Sequence, residues 1–583
     1  AEMALVRLYL VTGDRKYLDQ AKFFLDARGY TSRKDAYSQA HKPVLEQDEA
    51  VGHAVRATYM YAGMADVAAI TGDSSYIKAV DKIWENIVNK KIYITGGIGS
   101  RHAGEAFGDN YELPNLSAYN ETCAAIGNVY VNYRLFLLHG DAKYFDVLER
   151  TLYNGLISGV SLDGGSFFYP NPLASAGGYS RKPWFGCACC PSNISRFIPS
   201  LPGYVYAVKD DHVYVNLYMG NRGELKVNNK KIVLEQETSY PWNGDIRIRV
   251  VKGALPFTMN LRIPGWVRNE VLPGDLYRYD DEQKLGYTVT VNGEAVEGEL
   301  QKGYLQIERK WKKGDVVEVH FDMQPRVVRA NEKVAADRGR VAVECGPIVY
   351  CAEWPDNDFD VLSVLMNRTP KFEVVEKPDL LYGINQIKTQ AQTLEYDESG
   401  RLVAKDHTLT MIPYYAWAHR GAGNMAVWLP NEVSATRPVA IPTLASKSKV
   451  DASHKVKSLS SISDGLVPKD ENDRTIPYYH WWPKKNSTEW ITYEFPKPSK
   501  VSSSTVYWFD DEPWGGCRVP QSWKLYYKDE QGGWTPVSAA GTYGTKKGVP
   551  NTVEFTPVQT TAMKLEVVLP KDNSAGVFEW EVE

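Results

Sequence analysis

The phrase Thr12-Gly-Asp-Arg-Lys-Tyr-Leu18 returns as Thr71-Gly-Asp-Ser-Ser-Tyr-Ile77 and again as His139-Gly-Asp-Ala-Lys-Tyr-Phe145. Each copy follows one apolar helical pattern and precedes another. The physics is that of a helix–helix corner. A glycine takes the left-handed conformation that ends the first helix, and the aspartate after it caps the second. The aromatic and aliphatic pair then opens the second helix's apolar face. The spacing between copies is too long for a helical solenoid and suits a toroid of helical hairpins joined by long loops. Three hairpins are expected, at about 1–27, 47–90 and 121–160. A closed (α/α)6 toroid needs six, and an arc of three leaves an apolar flank open. The expectation is therefore that only the C-terminal half or so of a toroid is present, with further hairpins preceding Ala1 in a parent protein.

Beyond about residue 200 the apolar period drops from 3.6 to 2. Val213–Tyr218, Ile246–Val251, Met259–Ile263, Tyr287–Val291, Val316–Phe321 and Arg340–Glu344 alternate between turns, and Asn292-Gly293 is a hairpin signal. Many short strands with frequent turns predict antiparallel β-sandwiches. The chain thus reads as multidomain α + β. Residues 1–203 are the C-terminal part of an (α/α)6 barrel. Residues 204–432 are a β-sandwich region that can divide in two, closed by a strand pair near 414–417 and 425–429. Residues 433–463 are a linker, and 464–583 a further sandwich resembling galactose-binding or discoidin-like modules.

A length of 583 residues calls for several cores. A net charge of -4 gives no reason to expect nucleic acid or an anionic membrane as partner, and no apolar run is long enough for membrane insertion. Aromatics at 12% fit carbohydrate-active proteins, though also β-rich cores. The 7 cysteines, three of them clustered, do not form a disulfide framework. Cys345, Cys351 and Cys517 read as structural or unpaired.

That cluster lies in Trp184-Phe-Gly-Cys-Ala-Cys-Cys-Pro-Ser-Asn193. A vicinal pair such as Cys189-Cys190 is poorly placed for its own disulfide. It reads as metal ligands, as a ligand plus a nucleophile, or as a buried structural pair. Upstream, Glu121-Thr-Cys123 opens the third hairpin. Together Glu121, Cys123, Cys189 and Cys190 offer one carboxylate and three thiols, a donor set that zinc accepts if the fold brings them together. The Gly-rich segment Ile94–Pro114 holds Glu105, Asp109 and Glu112 and is too long for a plain connection, so it reads as a site-lining loop. A phosphate loop is excluded because no Gly-Lys-Ser/Thr follows. His53 sits one helical turn from Glu49, which could orient it.

The phrases His41-Lys-Pro-Val, Gly52-His-Ala-Val-Arg56, Thr95-Gly-Gly-Ile-Gly, Gly104-Glu-Ala-Phe107, Glu121-Thr-Cys123, Phe167-Phe-Tyr-Pro-Asn-Pro172 and Cys187-Ala-Cys-Cys-Pro191 resemble, in the same order, the cysteine-dependent β-L-arabinofuranosidases of glycoside hydrolase families 127 and 146. The resemblance covers about residues 1–430; the terminal sandwich and the Gln47–Ala50 segment lean toward family 146. It implies that Glu121, Cys123, Cys189 and Cys190 bind Zn2+, with Cys189 as nucleophile and Glu105 as general acid/base. It implies that His53 contacts the sugar and that Tyr169 lies near the nucleophile. Cys190 would anchor the metal and Cys187 support the turn. The implied activity is retaining hydrolysis of β-L-arabinofuranosides in an arabinose-containing plant oligo- or polysaccharide. The appended sandwich and a polymeric substrate suggest an extracytoplasmic bacterial enzyme, although a zinc thiolate is equally comfortable in the cytosol. Two alternatives stand beside it: a glycosidase of the same fold acting on another sugar, and a non-catalytic glycan-binding protein with structural zinc.

Overall fold

The computed structural model describes residues 1–281, 283–397, 399–456 and 458–583. Three helical hairpins open the chain: α1 (Glu2–Thr12) with α2 (Arg15–Ala27), α3 (Ala54–Thr71) with α4 (Ser74–Lys90), and α5 (Thr122–His139) with α6 (Lys143–Thr151). The corner glycines are left-handed, with φ of 71° at Gly13, 73° at Gly72 and 63° at Gly140. Asp14, Asp73 and Asp141 each accept a backbone N–H two residues on, at 3.0–3.1 Å. Helices α3 and α5 are buried along most of their length, among them Ala57, Tyr61 and Met64 on one and Ala124, Val129 and Phe136 on the other. The outer face of the first hairpin stays apolar and exposed at Leu8, Leu10, Val11 and Phe23.

Three antiparallel systems follow. The first pairs a six-stranded sheet, from Asn221–Val227 to Glu294–Ala295, with a four-stranded sheet holding Leu255–Arg262 and Tyr304–Trp311. The Asn-Gly hairpin forms with φ of 55° at Asn292 and 86° at Gly293, the signs a type I′ turn requires. One pair departs from the antiparallel expectation: His212–Val215 runs parallel to Leu255–Arg262. The second system is an eleven-stranded sheet built on Arg340–Cys345, Ile348–Glu353 and the long hairpin Ile384–Tyr396 with Leu402–Pro413. Its expected closing pair does not form. Tyr414–Ala416 is a 3-10 turn directly after Pro413, and Asn424–Ala426 pairs instead with Ala174–Ala176. That pairing stitches the segment leading to the cysteine cluster onto the sheet.

The last sandwich is organised on two long strands, Thr488–Phe509 and Asn551–Val568, with register shifts between Glu494 and Ser499 and between Val501 and Ser503. The predicted linker is shorter than 433–463. Lys449–Ala452 already pairs with this sheet, and Ala445, Ala452 and Ile462 lie in its core, because small and apolar residues among the Ser/Lys positions have a face to bury.

Helix α6 is fastened to the first and second sheet systems by buried ion pairs. Arg262 reaches Asp146 at 2.8 Å and Glu149 at 2.5 Å, and Arg150 pairs with Glu344. Among the described residues no helix is long and apolar enough to cross a membrane.

Candidate active site and metal centre

Glu121 holds the N-cap position of α5 with its side chain bonded to no helix N–H, and Cys123 lies in the first turn. Helix α7 (Cys189–Phe197) packs across α5 and begins with the vicinal pair. Pro191 sits in the first turn of α7, where its missing N–H costs no hydrogen bond. The two helix starts thereby converge. Cys123 Sγ is 3.6 Å from Cys190 Sγ, and the Cys189 and Cys190 sulfurs are 3.8 Å apart. Glu121 Oε1 is 3.3 Å from Cys189 Sγ and 3.5 Å from Cys190 Sγ.

These separations test the fit to a metal. Tetrahedral zinc with Zn–S bonds near 2.3 Å has sulfur–sulfur edges of about 3.8 Å. The donors of Glu121, Cys123, Cys189 and Cys190 all lie within 4.8 Å of one another, so the edges match. Glu121, Cys123 and Cys190 are buried and Cys189 is half-buried. Glu121 Oε2 is buried without a hydrogen-bond partner. Burial pushes the Glu121 carboxyl up to about 9. Hydrogen bonding with Cys189 raises the Cys123 thiol, and burial raises that of Cys190. The Cys123 and Cys190 thiols, directed at Cys189, pull its thiol down to about 2. Three of the four donors are buried and the fourth half-buried, and their spacing and chemistry fit a cation.

Tyr169 Oη is 2.9 Å from Cys189 Sγ. Its segment is held against the start of α5: the Thr122 hydroxyl donates to Phe168 O at 2.8 Å, and Asn171 Nδ2 donates to Asn120 O at 2.9 Å. Phe168 is buried and stacks on Trp417 at 5.1 Å.

Glu105 approaches from the Gly-rich loop. Gly104 and Glu105 are consecutive left-handed residues, at φ 71° and 50°. A glutamate in that region costs of order 1 kcal/mol, which the surrounding contacts must offset. Tyr119 Oη donates to Glu105 Oε1 at 2.8 Å, and His53 Nε2 faces Oε2 at 3.0 Å. Carboxylate oxygens of Glu105 and Glu121 and a ring nitrogen of His53 lie within 4.8 Å of one another. Glu105 and the thiol cluster therefore share one pocket. Burial holds His53 below its ordinary value, and its Nδ1 is buried with no partner.

The remaining loop carboxylates do something else. Arg101 binds Glu112 at 2.8 Å through Nε and Asp109 at 2.9 Å through Nη2, which ties the loop into a closed shape. Glu49 does not orient His53. It pairs with Lys91 at 2.7 Å, because His53 is the residue capping α3, with ψ of 117°, and not one turn inside a helix. Cys187 is an exposed free thiol and does not pack under the turn. Tyr119 is the site residue that sequence reasoning missed; it stands two residues before Glu121, but nothing local marks its reach to Glu105.

Comparison with known proteins adds the following. The β-L-arabinofuranosidase GH127 catalytic-domain model matches residues 1–203, the GH127 middle-domain model 212–323, and the glycoside hydrolase family 127 C-terminal-domain model 325–430. A curated relative, the non-reducing end β-L-arabinofuranosidase of Bifidobacterium longum subsp. longum, is 34% identical over 482 residues, spanning 73% of this chain and 70% of its own. A solved GH127 β-arabinofuranosidase is 78% identical, with a TM-score of 0.75 over 75% of this chain and 69% of that one. The GH127 β-L-arabinofuranosidase of Geobacillus stearothermophilus T6 is 39% identical, with a TM-score of 0.68 over 74% and 71%.

Proposed function

The chain belongs to the β-L-arabinofuranosidases of glycoside hydrolase family 127, and from that premise we propose that it releases L-arabinofuranose, with retention, from β-L-arabinofuranosides of plant glycans. The observation that carries the reading is the shared pocket: a thiol at Cys189, 3.3 Å from Glu121, with the Glu105 carboxylate within 4.8 Å of the same Glu121. Residues 1–203 are read as the catalytic portion, with the sandwiches as its supports. A polymeric plant glycan is met outside the cell, so the enzyme is placed extracytoplasmically.

Glu121, Cys123, Cys189 and Cys190 would hold zinc, which supplies the positive charge that keeps the thiols deprotonated. The rest follows from the chain's own groups. The Cys189 thiolate attacks the anomeric carbon. As the carbon–sulfur bond forms, the bond to the aglycone oxygen breaks, and Glu105 in its acid form gives that oxygen a proton. Glu105, now a carboxylate, takes a proton from water. The water oxygen bonds to the anomeric carbon from the face the aglycone left, and the carbon–sulfur electron pair returns to Cys189. Two inversions give retention, as in the two-carboxylate scheme with sulfur in place of one carboxylate. Tyr119 and His53 hold the two Glu105 oxygens in place throughout.

Two measurements test this. Cys190→Ala removes a buried donor without touching the attacking sulfur. Metal analysis is expected to find about one zinc per parent chain and a large loss in the variant. A metal-free parent with Cys123, Cys189 and Cys190 freely alkylated would sink the four-donor site. Glu105→Gln is expected to lower kcat about 10²- to 10⁴-fold for sugar aglycones, whose oxygen needs the proton, and less for a nitrophenyl aglycone. With the nitrophenyl substrate the variant should also accumulate a chain heavier by one anhydropentose, read by intact mass. An equal loss on both substrates with no adduct would remove Glu105 from this role.

A further inference from the structure

The C-terminal sandwich carries exposed tryptophans beside the acid/base loop. Trp514 is 63% exposed. The Arg101 guanidinium lies 4.8 Å over its ring. Arg101 is bound to Asp109 and Glu112 and precedes His102, whose ring stands edge-on to Tyr119 at 4.7 Å. Tyr119 in turn donates to Glu105. His102 is solvent-exposed, and the crowded protein around it and then the Arg474 charge of the same sandwich disfavour its protonation. Arg474 is fixed by hydrogen bonds to Asn472 at 2.6 Å and Tyr478 at 2.8 Å.

Trp514 rests on a rigid turn. The N–H groups of Trp514 and Gly515 donate to Asp511 O at 3.1 and 2.8 Å, and the Asp511 carboxylate accepts from Cys517 N at 2.7 Å. A Cβ on Gly515 would fall 1.7 Å from Asp511 Oδ2, and one on Gly516 would fall 2.2 Å from the ring of Trp482. Trp482, 44% exposed, is thereby packed against the same turn. A large ring left in water on a preorganised turn is the mark of a binding surface, not of a core.

We propose that Trp514 and Arg474 of the C-terminal sandwich form the binding site for the first sugar of the aglycone, making this sandwich a specificity-determining part of the catalytic pocket. The proposal rests on Glu105 being the general acid. An acid must reach the glycosidic oxygen, so the aglycone leaves past the loop that carries it, and that loop abuts the sandwich. One face of the Trp514 ring is taken by Arg101. The other faces solvent and can stack on the C–H face of a sugar, while Arg474 Nη2, which meets Asp511 only at 3.7 Å, can donate to its hydroxyls.

Calorimetric titration of the full chain tests this without turnover. The probes are methyl 1-thio-β-L-arabinofuranoside and a sulfur-linked β-L-arabinofuranosyl-arabinose disaccharide, both of whose linkages resist acid-assisted cleavage. The disaccharide is expected to bind more tightly than the methyl glycoside. Trp514→Ala should weaken it about five- to tenfold while leaving the methyl glycoside within about twofold, and Trp514→Phe should restore most of the loss. Equal affinity of the two probes in the parent overturns the proposal, as does an unchanged disaccharide affinity in Trp514→Ala with an unchanged melting temperature. Failure of the parent to hydrolyse arabinofuranosides would count against the catalytic reading alone, since the affinity comparison does not depend on turnover.

Discussion

Cys189→Ala is expected to abolish hydrolysis of an aryl β-L-arabinofuranoside, lowering kcat by about 10⁴-fold or more, the scale of losing a covalent nucleophile. The aryl substrate makes the test strict, because its leaving group needs little help from Glu105 and the sulfur alone is at issue. Cys189 is the half-buried member of the thiol set, whereas Cys123 and Cys190 are buried, so it is the sulfur a sugar can reach. Tyr169 Oη lies 2.9 Å away, and once Cys189 is a thiolate the phenol can donate to it, which favours the anion. Comparison with Cys190→Ala separates two causes of inactivity. Both variants remove one zinc donor. If activity fell only through metal loss, excess zinc would rescue both alike. Rescue of Cys190→Ala but not of Cys189→Ala is the expected pattern. Full hydrolysis by Cys189→Ala would show the nucleophile assignment to be wrong.

The parts of this site that were legible in the sequence are those with local causes. The Gly-Asp corners could be read because a left-handed glycine and a capping aspartate act within four residues, and Gly13, Gly72 and Gly140 behave as their neighbours dictate. Glu121 with Cys123, and Cys189 with Cys190, announced themselves as donor pairs, but not their meeting. That depends on α7 crossing α5, which no spacing encodes, and it was the family resemblance that suggested it. The failures have the same origin. Glu49 and His53 are four apart, yet that spacing matters only inside a helix, and the helix starts after His53. The residues before Lys449 look like a linker by composition, but Ala445 is fully buried because it packs into the core of the last sandwich. Tyr119 and Trp514 have no local signature, since each acquires its role from a partner on another element.

The largest stability effect is expected from Arg262, a side chain with no exposed surface. It lies on the strand Leu255–Arg262 and donates to Asn216 O at 2.7 Å, to Asp146 at 2.8 Å and to Glu149 at 2.5 Å. It thus joins helix α6, which packs against α5, the helix that carries Cys123, to the first sandwich. Arg262→Met keeps much of the volume and removes the charge. Asp146 retains Arg268 at 2.6 Å, so the carboxylate left without a cation is Glu149. Burial already pushes Glu149 upward, and the Arg262 charge is the leading influence opposing it. Removing one partner of a buried pair costs about 3–5 kcal/mol, because the other is left charged and unsolvated. For a unit of roughly 320 residues that lowers the melting temperature by roughly 5 °C. The exposed pair of Arg249 with Glu235 is the control, and Arg249→Ala should change stability by less than about 1 kcal/mol. Calorimetry of the full chain should show the transition of the helical and first-sandwich region shifted in Arg262→Met, with the C-terminal sandwich transition in place. Adding Glu149→Leu should recover part of the loss, since the orphaned charge is then gone. A double variant no more stable than the single one would mean that Arg262 matters through its packing and its bond to Asn216, and not through the charge it neutralises.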